Sequence, residues 1–332
     1  MNGRERILSL LNGGNPDRLP VMPITMQYAA DQIGVPYGKY ATDWKTLCDA
    51  QIATAEKFHF DYVSVISDPA VEAYDCGATV LFPDDAPPAI DETKALLTDK
   101  SRLSSLELPV NGKRMANRIQ AVGELKRRAG SELLIEGWIE GPCAEASDLR
   151  GINHLMLDFM DDPVFVEELF AFILRMELAF ATEQIAAGAD IIGIGDAAAS
   201  LVGPRIYDQF VQPIEKQMAY GIHAMGAKVR LHICGNTRRI LKGMGQVGAD
   251  IVDLDYPSPI ADGRLAMGPD QALLGNMNPV QVLRDQSPNE IKEYLAECHR
   301  QAGDRYIVGA GCEIPRGTPE ANVMALSEYS MG

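Results

Sequence analysis

The sequence predicts an α/β fold, a TIM-type (β/α)8 barrel with an insertion after its second strand, formed by residues 1–332 as one domain. Two observations carry this: a recurring phrase at the junction of helix and strand, and eight strand candidates along the chain. The phrase reads AAGADIIGIG at 186–195, GQVGADIVDL at 245–254 and QAGDRYIVGA at 301–310. Each closes a helix on a glycine, passes an acidic residue and enters an apolar run. Gly188, Gly248 and Gly303 suit the left-handed position that stops a helix. The runs that follow do not alternate, as expected of parallel strands buried on both faces. Residues 56–66, EKFHFDYVSVI, have the same form without the glycine.

In chain order the expected strands are 21–26, 61–67, 133–138, 190–195, 228–233, 250–254, 271–275 and 305–309. Helical segments at 163–187, 204–225 and 288–302 fall between them. Pro163 and Pro204 stand where a first helical turn tolerates proline. Ser287, Pro288 and Glu290 read as an N-cap, a first-turn proline and the acid of a capping box. Eight βα units imply closure, with the site at the C-terminal ends of the strands. An open doubly wound sheet is the alternative. Residues 76–113 break the pattern with prolines and charges, and read as a hairpin and irregular insertion near the barrel mouth.

Bulk properties narrow the function. The apolar and charged fractions, 46% and 23%, are those of an ordinary globular enzyme. A chain of 332 residues can bury a sizeable core unaided, so a metal would serve chemistry and not folding. A net charge of −16 opposes binding to nucleic acid or anionic membranes. No secretory signal or membrane-length apolar run is apparent, which points to a cytoplasmic protein with reduced thiols.

Candidate chemistry gathers at strand ends. In KVRLHICGN at 228–236, His232 and Cys234 are two apart on an extended chain and point the same way. In RYIVGAGCEIP at 305–315, Cys312 follows another strand end. One imidazole and two thiolates suit zinc, with ligand bonds of roughly 2.0–2.3 Å, and three protein ligands leave the fourth position open. An open position beside two thiolates favours holding a further thiol as thiolate over generating hydroxide. Cys48, Cys76, Cys143 and Cys298 read as core thiols. Further polar residues follow strands: Asp68 and Asp196 are candidate catalytic groups, and Glu72, Asp255 and Asn276 candidate substrate contacts. Helix capping or supporting hydrogen bonds are the plainer roles for each.

Across nearly its whole length the chain resembles the uroporphyrinogen decarboxylase superfamily, and more narrowly its zinc-dependent corrinoid methyltransferase branch. The segments that carry this are RLPVMP at 18–23, SDPAVEAYDCGA at 67–78, EGPCAEASDLRG at 140–151, GDAAASLVGPRIYDQFVQPIEKQ at 195–217, LHICGN at 231–236, LLGNMNP at 273–279 and GAGCEIPRGTPEANV at 309–323. The resemblance implies zinc on His232, Cys234 and Cys312, and methyl transfer between a corrinoid and a thiol or related small molecule, in either direction. Asp68 falls where decarboxylases of the fold keep a catalytic aspartate. The arginines that those enzymes carry near the start are missing from MQYAADQIG at 26–34, which speaks against a polycarboxylate substrate. No cobalamin-binding signature is present: GIHAMG at 221–226 has glycine in place of its aspartate. The corrinoid, methylcobalamin or its equivalent, is therefore expected on a separate protein. The competing readings are a decarboxylase of the same fold and a corrinoid-protein docking module without catalysis.

Overall fold

The computed structural model describes residues 1–109 and 112–332. Val110 and Asn111, within the stretch expected to be irregular, lie outside the described residues. The strands are β1 (Tyr62–Ser64), β2 (Val80–Leu81), β3 (Ala89–Ile90), β4 (Leu134–Glu140), β5 (Ile191–Gly195), β6 (Lys228–Ile233), β7 (Ile251–Leu254), β8 (Ala272–Gly275) and β9 (Tyr306–Ile307). Seven of them form one curled parallel sheet in the order β1-β4-β5-β6-β7-β8-β9. Helices connect the parallel strands, as such a sheet requires. Gly188, Gly248 and Gly303 all take positive φ at the helix-to-strand breaks.

The first expected strand, 21–26, is cut to a single bridge between Val21 and Val308. The reason lies in RLPVMP: Pro20 and Pro23 lack an N–H, so the ladder cannot extend either way. What remains is enough to close the sheet. The Met22 N–H donates to Val308 (2.9 Å), the Val308 N–H to Pro20 (2.8 Å), and the Asp61 N–H to Val21 (3.1 Å). Backbone hydrogen bonds thus run from β9 through residues 20–22 to β1. The last expected strand, 305–309, is likewise shorter, and Ala310 bridges separately to Met277.

A side chain reinforces this seam. The buried Asp61 carboxylate accepts from the Val21 N–H at 2.8 Å, from Arg18 at 2.8 and 3.0 Å, and from Arg6. Arg18 thus acts as an ion-pair anchor. Arg6 belongs to helix Gly3–Leu11, which buries Ile7 and Leu10 against Tyr62, Leu134, Ile191, Ile251 and Ile307. Tyr62, Leu134, Ile191 and Ile251 are the first residues of their strands, so this helix plugs the floor of the sheet and leaves the other end free for chemistry.

Helix Pro163–Ala187 has its expected bounds, and helix Pro288–Ala302 forms with the Ser287–Glu290 capping box in place. The expected helix at 204–225 is interrupted. It runs as Gly203–Ile206, a π-helical turn at Tyr207–Val211, then Gln212–Ala224. Pro213 supplies the cause, since it has no N–H to continue the ladder and the preceding turn widens to accommodate it. Within 76–113, β2 and β3 pair antiparallel. Among the described residues no helix is long and apolar enough to cross a membrane.

Asp61→Ala removes the acceptor for two buried guanidinium groups and one backbone N–H. Breaking a buried ion pair on one side costs about 3–5 kcal/mol. Urea denaturation is expected to show a loss of that size, whereas Asp17→Ala, at an exposed partner of Arg6, costs under about 1 kcal/mol.

Candidate metal centre

Strand parity explains the placement of the centre. In β6 and the residue pair after it, Arg230, His232 and Cys234 recur at every second position and share one face. The register pairs Arg230 with Ile251 and His232 with Asp253 of β7. Buried charge consequently lines up inside the sheet. Arg230, with no exposed side-chain surface, donates to Glu136 of β4 at 3.1 and 3.3 Å and to Asp253 at 2.6 and 3.2 Å. Asp253 Oδ2 in turn stands 3.1 Å from His232 Nδ1. That approach is out of line for a full hydrogen bond, but it faces the ring's Nε2 toward the opposite side.

Nε2 lies 3.0 Å from Cys234 Sγ, and Cys234 Sγ lies 3.8 Å from Cys312 Sγ. The three potential ligand atoms all fall within 4.8 Å of one another, the one such group among the described residues. Cys234 reaches its position because Gly235 turns the chain at φ 89°. Asp255 holds that turn: its carboxylate accepts from the Gly235 N–H at 2.6 Å and from the Tyr256 N–H at 2.7 Å. Hydrogen bonds from Cys234 and His232 draw the Cys312 thiol down to about 4. Sharing that bond with Cys312 pushes Cys234 up. Burial opposes charge on His232, yet Cys234 and Asp253 together raise it well above the ordinary imidazole value.

A cavity of about 180 Å³ opens beside the trio. Asp68 and Asp196 line it, along with Met26, Trp138, Glu140 and Glu313. Asp68 is clamped by Arg114 through two hydrogen bonds of 2.6 and 2.7 Å. Asp196 accepts from the N–H groups of Cys143 (3.3 Å) and Ala144 (2.6 Å), in the first turn of helix Pro142–Arg150. Burial still raises Asp196 to about 7. Glu72, Asp255 and Asn276 are not part of the cavity wall. Glu72 accepts from the Glu140 N–H at 3.3 Å, behind the wall. Asn276 donates to the Ser258 carbonyl at 2.5 Å and braces the loop after β7. Cys48, Cys143 and Cys298 are buried, and Cys76 is half-buried.

Trp138 owes its place to glycine. A Cβ on Gly193 would lie 2.2 Å from its ring, and one on Gly195 2.7 Å. The GIG of β5 therefore lets the indole lie flat across the neighbouring strand. Sequence reasoning passed over Trp138, Glu140, Asp253 and Glu313. For Asp253 a signal existed: an acid inside the apolar run IVDL pairs with the equally unusual arginine inside KVRLHI. Trp138 and Glu140 carry no comparable signal, because their meaning depends on which strand lies next to theirs.

Behind Glu140 sit Glu72, Glu145, Asp148 and Glu177. Neither oxygen of Glu145 or Glu177 has a hydrogen-bond partner. Burial raises Glu72 to about 8 and drives Glu140, Glu145, Asp148 and Glu177 well above the carboxylate range.

A uroporphyrinogen decarboxylase (URO-D) family model matches residues 2–330. The chain belongs to that family. Among its relatives, a methylcobamide:CoM methyltransferase of Methanosarcina mazei is 27% identical, over 98% of this chain and 96% of the relative. A uroporphyrinogen decarboxylase of Synechocystis is 26% identical over a shorter span, 61% of this chain and 59% of the relative. A solved methyltransferase structure from Methanosarcina mazei superposes with a TM-score of 0.90 at 22% identity, covering 99% of this chain and 98% of the other. At that identity the superposition speaks for a shared URO-D family fold.

Two outcomes follow for this region. Gly193→Ala forces a Cβ into the Trp138 ring; it is expected to cost about 1–3 kcal/mol and to shift the Trp138 fluorescence emission, read in a Trp44→Phe background. The acid group behind Glu140 keeps its protons when folded and releases them near about pH 4 when unfolded. The contribution of this group to stability is therefore fullest at low pH and declines as pH rises toward about 8. Glu177→Gln removes one such proton, so the fall measured by denaturation between about pH 5 and 8 should flatten by up to about 1.4 kcal/mol per pH unit. An unchanged slope would mean that Glu177 ionises normally.

Proposed function

We propose that this chain is a zinc-dependent methyltransferase that moves a methyl group between a corrinoid and a thiol or related small molecule. The observation that carries the reading is the His232, Cys234 and Cys312 trio lining a small cavity at the barrel mouth. The donor set fits the metal. Tetrahedral zinc with Zn–S bonds of about 2.3 Å sets its two sulfurs about 3.8 Å apart, and the Cys234 and Cys312 sulfurs are 3.8 Å apart. His232 Nδ1 stands 3.1 Å from Asp253 Oδ2, close to the carboxylate-to-histidine arrangement that orients an imidazole ligand. Similarity to methylcobamide:CoM methyltransferases over nearly the full length of both chains agrees with this.

When bound, zinc supplies an open position at which a thiol is held as thiolate. The chain's residues do the rest. Arg230 and Asp253 set the His232 ring, and Asp255 sets the Gly235 turn that aims Cys234. Trp138 and Ile24 wall the cavity and exclude water from the sulfur. A corrinoid brought to the mouth would supply the methyl group to the substrate sulfur, a Co–C bond being exchanged for an S–C bond with the bonding pair kept by cobalt, or would take it back from a thioether.

A corrin ring is far larger than the cavity, so it meets the site from outside on a separate corrinoid protein. Leu201, Tyr256 and Val280 are 67%, 48% and 40% exposed, each a few residues past the C-terminal end of a barrel strand. Apolar side chains around such a mouth suit a protein partner.

The decarboxylase reading has less support. No lysine or arginine is among the described residues lining the cavity, so a polycarboxylate would enter without a counter-charge. Release of carbon dioxide from uroporphyrinogen would revive it.

The purified protein is expected to hold one zinc per chain by metal analysis. Cys234→Ser and Cys312→Ser should each abolish tight binding, and Asp253→Asn should weaken it about 10- to 100-fold. Methylcobalamin and a thiol panel should give a Co(I) absorption spectrum and a methyl thioether. Full transfer by the metal-free protein or by both cysteine variants would refute the proposal.

A further inference from the structure

Cys234 and Cys312 follow β6 and β9, which stand three strands apart, roughly 14 Å at the usual strand spacing. Their sulfurs are nonetheless 3.8 Å apart. The loop after β7 bridges the interval. Asp255, its first residue and 6% exposed, accepts the Gly235 N–H at 2.6 Å, one residue past Cys234. On the other side Gly311, one residue before Cys312, lies against the same carboxylate. A Cβ there would be 3.0 Å from Asp255 Oδ1 and 2.5 Å from the Tyr256 nitrogen. The loop is tied to its neighbours further along as well. The Ser258 hydroxyl accepts the Thr237 N–H and pairs with the Thr237 hydroxyl, each at 2.9 Å, and Asn276 holds the Ser258 carbonyl. The Gly311 N–H donates to the Met277 carbonyl, after β8, at 2.8 Å. Charge gives no reason for a carboxylate at 255, since it and Cys312 oppose each other's ionisation. Geometry does: a carboxylate offers two acceptor oxygens, here one for Gly235 and one for Tyr256, where an asparagine offers one.

Resting on the zinc reading of the trio, we propose that Asp255 and Gly311 make the loop after β7 a splint that fixes the sulfur spacing, and that the fixed spacing selects zinc over cadmium. Cadmium carries the same charge and binds sulfur more strongly, so the softness of two thiolates alone would favour it. Its bonds to sulfur are longer, and a tetrahedral cadmium therefore needs its two sulfurs farther apart than the 3.8 Å found here. Opening the pair means stretching the Gly235 bond to Asp255 or parting Gly311 from the loop that it packs against. A cysteine loop held on one side only would open at little cost. Selectivity among such ions comes from geometry more than from raw affinity, and ligands keep their geometry through the hydrogen bonds behind them. Asp255 is thus a positioning residue, acting through Gly235 and Gly311 and standing outside the ligand trio.

The test measures zinc and cadmium affinities by chelator competition for the wild type, Asp255→Asn, Asp255→Glu and Gly311→Ala. Asp255→Asn removes one acceptor. Asp255→Glu keeps the charge and lengthens the arm. Gly311→Ala disturbs the spacing from the other side with no change of charge. Each should weaken zinc about 10- to 100-fold and cadmium less, so that the ratio of cadmium to zinc affinity rises at least about threefold. Cobalt(II) in place of zinc reports the geometry, and the visible bands of its thiolate complex should shift in each variant. Asp61→Ala, which weakens the fold away from the centre, should leave the ratio and the bands as in the wild type. A ratio that stays constant in the Asp255 and Gly311 variants, or that moves as far in Asp61→Ala, overturns the inference. Zinc binding by the wild type then leaves the metal reading standing, whereas a wild type that binds neither ion overturns both. Gly311→Ala carries the comparison if the Asp255 variants do not fold. None of these readouts needs a corrinoid or a thiol, so they hold whether or not methyl transfer is found.

Discussion

Arg230 is the pivot of this structure. Its guanidinium has no exposed surface and sits between Glu136 and Asp253, on strands to either side of the barrel interior. A buried cation of this kind is tolerable only while both acids are in place. That requirement fixes Asp253, and Asp253 fixes the His232 ring, which presents Nε2 to the two cysteines. The His232, Cys234 and Cys312 trio is thus the outer end of a charge chain whose inner end is structural. The interior is not uniformly apolar, and the ion pair held inside the sheet sets the orientation of the imidazole at the mouth.

Much of this was legible in the chain. The helix-to-strand phrase located the parallel strands to within a few residues, and strand parity put His232 and Cys234 on one face. Cys312 could be joined to them because strand ends of a barrel open on one mouth. Other features were hidden for identifiable reasons. Val21 forms only one bridge because two prolines flank its pair, a penalty that an apolar run does not display. The helix through 204–225 breaks at Tyr207–Val211, where Pro213 acts one turn before itself. Glu72 and Asn276 follow strand ends as site residues do, yet one turns behind the wall and the other braces a loop.

Trp138, Glu140 and Glu313 were not legible, because cavities are properties of neighbours. Trp138 lies over β5 only because that strand has glycine at 193 and 195. The two glycines are, in the folded chain, the space an aromatic wall occupies. The accumulation of acids around Glu140 is similar: Glu140, Glu145 and Asp148 share one stretch, but Glu72 and Glu177 reach them from two others, and no local pattern announces that meeting.

The seam at Asp61 bears on how the protein is made. Residues 20–22 leave the ribosome well before Val308, which they must bond. Until β9 arrives, Met22 has no backbone acceptor and the incomplete sheet has two open edges. Closure over so long a sequence separation is slow, and an open parallel edge invites association with other chains. Asp61, Arg6 and Arg18 all lie in the first fifth of the chain and can pair before that. They hold the early edge in its final shape, a jig on which the last strand is received.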